Sequence, residues 1–439
     1  MWFPETTGQL CEIIRRASET GTGLVPLSSG PPHLHGASAD PEAEIVCFEK
    51  MDRILKIDRK NRYARVEAGV SYGTLLPALA EQGLRANHPF LPRAGKSVAA
   101  SMLEREAVLV PKYQYDYTDP LLTAEVVYGT GDVFRTGSAA GPGPVEELKA
   151  DMVCPWGPGS IDFLRFLCGA QGTMGFVTWT TLKTEIRPAG SELFFIEAEE
   201  PEVLSKLAAK LLFKRVPDDC IILNSAAFAA AFSEDIRQEA LLKEKTARWI
   251  LICRISGYER RPKERIRIYS GYLKDITASY GLSAGTIPTG AEGLETFIDR
   301  RLCDCDRSDV YWKLRRGRVR EILFICPPSR AGFLTTMLED QTKALPRENV
   351  GILIQPQVQG RAFRIECDLF HSESEKERFG KCAKEAEQAL FAAGAFFDRP
   401  YGDLPSLVYQ ADPAGVQALK KVKSVFDPKG ILNPGKLCF

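Results

Sequence analysis

The sequence predicts an α+β protein of two domains, with a C-terminal segment that returns to the first. Three observations predict it. Helical-period and strand-like stretches alternate along the whole chain. The texture changes after Pro188, where helix-rich stretches begin to alternate with strong strand runs. A length of 439 residues exceeds the roughly 150 that one domain commonly holds. The boundaries that follow are 1–188, 189–395 and 396–439.

Each element has a local cause. In TTGQLCEIIRRASETG, Leu10, Ile13, Ile14 and Ala17 recur at helical period behind a threonine able to cap. GLVPL then reads as a short buried strand, followed by the strand runs AEIVCF and ILKIDRKNRYARVEAG, the second turning at Lys60-Asn61. SYGTLLPALAEQG reads as a helix closed by Gly83. LLTAEVVYGTGDVFRTG is a strand pair turning through Gly129 to Asp132, and GFVTWTTLKTEIRP a strand ending at Pro188. Beyond it, the helices PEVLSKLAAKLLFKR, RPKERIRIYSGYLKDITASYG and SESEKERFGKCAKEAEQALFAAGA alternate with the strands WILICRIS, EILFICPP and VGILIQPQVQGRAFRIECDLF. The tail is a helix capped near Asp412 and a Pro/Gly-rich end.

Composition narrows the function. At 44% hydrophobic and 26% charged the chain is globular, and 57 basic against 57 acidic residues give no excess charge for nucleic acid or anionic lipid. A small molecule or another protein is the expected partner. The 12 cysteines are scattered, and Cys303 and Cys305 lack the C-x-x-C spacing of zinc and iron–sulfur sites. They read as buried thiols of a reduced compartment. The first residues show no basic-then-apolar leader, and no apolar run reaches the roughly 18 residues of a membrane span, so a cytoplasmic location is expected. The basic run WKLRRGRVRE from Trp312 reads as a solvated face, or else as a dock for an acidic electron-transfer partner or a CoA-like anion. His371 is isolated among only 4 histidines, and no metal is expected.

Three separated segments carry a resemblance: VEAGVSYGTLLPALAEQGL, FLCGAQGTMGFVTWTTLKTEIRP and VKSVFDPKGILNPGKLCF. Together they resemble the FAD-linked oxidases of the vanillyl-alcohol oxidase and 4-cresol dehydrogenase type, whose C-terminal F-D-P-x-x-x-x-N-P-G-K signature the third matches closely. The resemblance covers most of residues 5–188 and 395–439. It implies a PCMH-type FAD-binding domain of two α+β subdomains and an α+β substrate or cap domain with an antiparallel sheet. It also implies cofactor contacts from Gly169, Gly172, Thr173, Gly175 and Val177 beside the flavin, and from Asn433 and Lys436 in the tail. SVAASMLEREAVLVPKYQYDYTDPLLTAEVV is similar to the phenol-oxidising branch's V-L-G-N-x-x-E-R-G and Y-G-D-H. This adds Ser97, Val98, Ser101, Glu104 and Arg105 as cofactor residues, with Asp116 falling on the branch's aspartate when counted back from AEVV.

In that family the pyrophosphate loop reads about P-R-G-G-G-T-x-x-x-x-G. Here, in VPLSSGPPHLHG, Pro26 and Gly36 keep their places, but Leu27, Ser28, Ser29, Gly30 and Pro31 replace the glycine run. Consecutive prolines remove two backbone donors, and serine hydroxyls can replace them. The expectation is a pyrophosphate held by Ser28, Ser29 and the Gly30 amide; the opposing reading is a flavin-free structural or regulatory subunit. Relatives that attach FAD covalently often carry His at the position of Pro31, and His33 and His35 are displaced from it, so non-covalent FAD is expected. His33 and His35 either hydrogen-bond the dinucleotide or face solvent.

Flavin oxidation of an alcohol or phenol needs a base or anion stabiliser beside the reacting carbon. PKYQYDYTD offers Tyr113, Tyr115 and Asp116, and FFDRPYGD offers Arg399 and Tyr401. The tyrosines read as phenol-binding or acid/base groups, or as one face of a strand. Arg399 reads as the stabiliser of a phenolate, a carboxylate or the reduced flavin, or as an ion pair with Asp398 or Asp403. The resemblance therefore implies an FAD-dependent oxidoreductase moving hydride from an alcohol or phenolic carbon to flavin N5. The alternative is a 2-hydroxyacid dehydrogenase subunit. Electrons pass to an unidentified acceptor, and the chain acts as a homo-oligomer or beside an iron–sulfur or electron-transferring flavoprotein subunit.

Overall fold

The computed structural model describes residues 1–35, 40–137, 147 and 162–439. The helix Thr7–Thr20 starts where Thr6 accepts from the Gln9 amide and stops at Gly21, whose φ of 72° suits a residue without Cβ. It leads into β1 (Leu24–Leu27), which pairs in parallel with β2 (Glu44–Cys47). β3 (Ile54–Asp58), β4 (Tyr63–Glu67), β5 (Leu84–Ala86), β6 (Leu121–Val127), β7 (Val133–Arg135) and β8 (Phe176–Ile186) form a second, antiparallel sheet. Its order is β3-β4-β8-β6-β7, with β5 added on β8. β8 is central and buried over most of its length, which explains its run of Val, Trp, Thr and Leu.

The third sheet is antiparallel throughout. It comprises β9 (Gly190–Ala198), β10 (Cys220–Asn224), β11 (Trp249–Gly257), β12 (Ala284–Gly285), β13 (Arg318–Cys326), β14 (Val350–Gln357) and β15 (Ala362–His371), in the order β12-β9-β11-β10-β14-β15-β13. Helices Pro201–Phe213, Pro328–Thr342 and Lys376–Ala392 cover one face and share a core with Phe194, Trp249, Phe324 and Ile354. The other face packs Ile221, Ile250 and Trp312 against Phe90, Leu91 and Leu109 from the N-terminal half. Phe90 and Trp312 meet edge to face at 6.0 Å, so apolar packing joins the two halves beside the cavity described below.

After the helix Pro413–Phe426, the Leu24 amide donates to the Ile431 carbonyl and the Asn433 amide to the Leu24 carbonyl, each at 2.7 Å, so the tail runs along β1. One expectation is corrected here. The basic run beginning at Trp312 is not a solvated face along its length: a short 3-10 turn, Trp312–Leu314, buries Trp312 and Lys313 against β13 and β15, and only its later part, at Arg318, is exposed.

Candidate active site

One cavity lies where the three sheets approach one another. Its walls are the loop after β1, the helix Val98–Leu103, the glycine turn entering β8, the C-terminal tail, and the end of the third sheet carrying Trp312 and Lys313. Each wall has a local cause: the helix begins where the Ser97 hydroxyl accepts from the Ala100 amide, and β8 begins after a turn whose Gly169 and Gly172 have φ of 77° and 74°.

In the loop, Pro26, Ser28, Ser29, His33 and His35 all line the cavity, while Gly36 lies outside the described residues. Ser28 is half-buried, and its hydroxyl has no partner among the described residues. Ser29 is partly committed: its Oγ accepts from the Ser97 amide at 3.0 Å. The Gly30 amide donates to the Gly95 carbonyl at 2.9 Å, so it is not a pyrophosphate donor as the sequence suggested. Arg93 stands beside the loop. It lines the cavity, donates to the Gly30 carbonyl and has no carboxylate partner among the described residues. Burial first, then Arg93 and Lys96, lower the His33 pKa, so His33 is neutral.

Several expected cofactor residues are structural instead. Ser97 spends its hydroxyl on the Ala68 carbonyl at 2.6 Å, Val98 is core, and Ser101 links the Tyr72 hydroxyl at 2.9 Å to Glu106 at 2.6 Å. Arg105 packs its guanidinium on Gly169, where a Cβ would come within 3.2 Å of it. Thr173 closes its own turn on the Ala170 carbonyl at 2.7 Å. Gly172, Gly175 and Val177 do line the cavity. A Cβ on Gly172 would sit 2.6 Å from Pro26 Cγ, and one on Gly175 would strike Val126. These glycines therefore allow protein to approach protein, and through Pro26 they set the cavity wall.

The expected Tyr113, Tyr115 and Asp116 cluster is not part of the cavity lining. The Tyr113 hydroxyl bonds that of Tyr258 at 3.0 Å, Tyr115 is exposed, and Asp116 pairs with Arg165. Arg399 and Tyr401 do line the cavity. Arg399 is buried and pairs with neither Asp398 nor Asp403. Asp398 takes the buried Arg364 in a two-point pair of 2.8 and 3.0 Å, whereas Arg399 faces Glu104 at 3.6 Å and Glu106 at 3.7 Å. Lys96 closes this set at 2.9 Å from Glu104 and 3.2 Å from Glu106. Two cations thus meet two carboxylates. Burial works to raise the Glu106 pKa, but Lys96, Arg399 and the Ser101 hydroxyl outweigh it and hold it at about 2. Burial, opposed by Arg399, pushes the Tyr401 phenol up, which keeps it neutral.

A second charge cluster was not expected. Lys313 Nζ binds Glu321 at 2.5 Å, Asp368 at 3.1 Å, and Glu366. Those three carboxylates lie close enough to hold a cation, and the ammonium already fills that place. Burial, then Glu366 and Glu321, drive Asp368 well above the carboxylate range, while Lys313 and His35 hold Glu321 well below it against burial. His35 joins the clusters: its Nε2 is 2.6 Å from Glu321, and its ring stacks on Tyr401 at 4.0 Å and 7°.

The residues present fit FAD. Buried polar atoms without a partner, Arg399 Nε and Asn433 Oδ1, belong to cavity residues, and Asn433 Oδ1 offers an acceptor to a polar ring system. Asn433 itself is held by its Nδ2 bond to the Gln171 carbonyl at 2.6 Å. Ser28 and Arg93 offer donors for a diphosphate at the loop end, and Lys436 adds a further cation at the tail.

Comparison with known proteins agrees. A model of the FAD binding domain matches residues 1–137, and one of the C-terminal domain of FAD linked oxidases matches residues 402–437. Glycolate oxidase subunit GlcD of Bacillus subtilis (strain 168) is 24% identical, over 99% of this chain and 87% of its own. The structure of p-cresol methylhydroxylase with substrate bound superposes with a TM-score of 0.81 over 100% of this chain and 88% of that one, at 16% identity. The 4-ethylphenol oxidase from Gulosibacter chungangensis gives 0.79 over 99% and 88%, at 19% identity. At these identities the two structures establish the fold.

Proposed function

We propose that this chain, which belongs to the FAD-linked oxidases, oxidises an alcohol or phenolic substrate whose oxygen meets Arg399 and Tyr401 in the cavity. FAD bound here supplies the two-electron acceptor for a hydrogen removed from substrate carbon. The chain's own residues do the rest. Ser28 and Arg93 hold the diphosphate, and Asn433 holds the ring system through its unpartnered Oδ1. Phe90 and Trp312 form an aromatic wall that excludes water from the substrate.

The observation that carries the reading is the Arg399–Tyr401 pair. A guanidinium with a free Nε and a phenol that burial keeps protonated, 3.4 Å apart, supply two donors to an oxygen gaining negative charge. A 2-hydroxyacid is the second reading, favoured by the near full-length likeness to a protein named as a glycolate oxidase subunit. That relative is also named as a subunit, and we propose that electrons leave this chain for a partner protein.

The test is anaerobic mixing of the flavin-loaded protein with a panel of alcohols, alkylphenols, lactate and glycolate. Bleaching of the flavin band by an alcohol or phenol is expected. Bleaching by the hydroxyacids alone would replace this reading with the second.

A further inference from the structure

We propose that His35 is the general base of the oxidation and that Glu321 is its positioning residue; the inference rests on the proposed function. The geometry is that of an oriented imidazole. His35 Nε2 lies 2.6 Å from Glu321 Oε2, and that carboxylate is itself pinned by Lys313 at 2.5 Å. An ionised carboxylate accepts, so Nε2 is the nitrogen that donates to Glu321, and in the base form of the imidazole the lone pair belongs on Nδ1. Nδ1 has no hydrogen-bond partner among the described residues, and the ring lines the cavity. The stack on Tyr401 fixes the ring plane and sets the base against the residue that, with Arg399, receives substrate oxygen. A base and an oxyanion stabiliser therefore share one wall, as proton removal from an O–H requires.

The step balances. The substrate O–H proton passes to Nδ1 of His35, the C–H bond breaks with its hydrogen and two electrons leaving to the flavin, and the carbon–oxygen bond becomes a carbonyl. For a phenol, the same proton leaves the phenolic oxygen and the product is a quinone methide. His35 then returns its proton to water. Nothing in the loop motif predicts this role, because Glu321 lies 286 positions further along the chain and reaches His35 only through the third sheet.

Two variants test it. His35→Phe keeps an aromatic ring for Tyr401 and removes the base; His35→Ala removes both and leaves space. With the alcohol or phenol that reduces the wild type, both variants should retain full flavin content. KM should move only a few-fold, and the anaerobic rate of flavin reduction should fall by about 10²–10⁴-fold. Added imidazole should restore His35→Ala in a saturable way and leave His35→Phe unchanged. A readout free of turnover is the spectrum of ¹⁵N-labelled histidine in the flavin-loaded wild type, where Nδ1 of His35 should be the unprotonated nitrogen. A His35→Phe enzyme reduced at the wild-type rate, a His35→Ala enzyme indifferent to imidazole, or an Nδ1-protonated ring would each overturn the assignment. If no alcohol or phenol reduces the wild-type flavin, the proposed function falls and the base with it; a reduced wild type beside an unaffected His35→Phe removes the base alone.

Discussion

Two charge clusters face one cavity, and they are built on opposite plans. The first sets Lys96 and Arg399 against Glu104 and Glu106, so each carboxylate has two cations within 4 Å. The second sets a single ammonium, Lys313, among Glu321, Glu366 and Asp368, with His35 touching only Glu321. Redundancy makes the first tolerant of losing one cation, which leaves Arg399 available for chemistry. The second has Lys313 as the one partner shared by all three carboxylates. On the proposed reading, the first cluster acts on a substrate and the second holds a base in place.

The largest difference should appear in stability. Lys313→Met leaves buried carboxylates without their ammonium, and breaking such a set costs about 3–5 kcal/mol. Denaturant unfolding of the flavin-loaded protein should show a loss of that size, and a loss under about 1 kcal/mol would mean the second cluster is hydrated. Arg399→Met should cost much less stability, because Lys96 still faces both glutamates. It should instead slow anaerobic flavin reduction by about 10²–10³-fold, the usual loss for one donor to a developing oxyanion. Arg399→Lys should recover part of that rate. Equal stability losses in the Lys313 and Arg399 variants would erase the contrast.

How far the sequence announces these features depends on whether their parts are neighbours in the chain. Helix Thr7–Thr20 and the strand β8 follow directly from local period and caps. The third sheet's order does not, since β9 lies beside β11 and β10 beside β14, which no local pattern encodes. Ser28, Gly172 and Arg399 line the cavity, and each stands in a contiguous motif that local pattern can point to. The second cluster does not. Glu321 stands directly across from Asp368 in the ladder, and Glu366 is two residues away on the same face, so the three meet only through strand register. RIECDLF does alternate acidic and apolar residues, but that pattern ordinarily marks a solvent face. Tyr113 misled for the opposite reason: a dense local cluster looks catalytic, whereas here the segment bonds Tyr258 and Arg165.

Smaller effects sharpen the same picture. Ser28→Ala should remove one hydrogen bond to a charged diphosphate, about 1.5–3 kcal/mol, raising the FAD dissociation constant roughly ten- to a hundredfold in titration of apoprotein. Ser29→Ala should act mainly on stability, since its oxygen already serves the Ser97 amide. The pH response should separate the clusters as well. Glu106 is held at about 2 against an ordinary 4.5, so its contribution to stability is full above pH 4.5 and is lost as pH falls towards 2. Glu106→Gln should flatten the stability profile over that window. Asp368, driven upward, has the opposite sign, and Asp368→Asn should leave the acid limb in place.

On the proposed function, Arg399 and Tyr401 receive the substrate's oxygen beside the bound flavin. Titrating the flavin-loaded protein with a phenol that lacks an oxidisable side-chain carbon, and following the flavin difference spectrum, tests it most directly. A saturable one-to-one perturbation of the flavin band is expected, with affinity weakened about tenfold or more in Arg399→Met, since a hydrogen bond to a charged group is worth about 1.5–3 kcal/mol. A phenol that leaves the flavin spectrum unchanged, or that binds the Arg399 variant as tightly as the wild type, would contradict it.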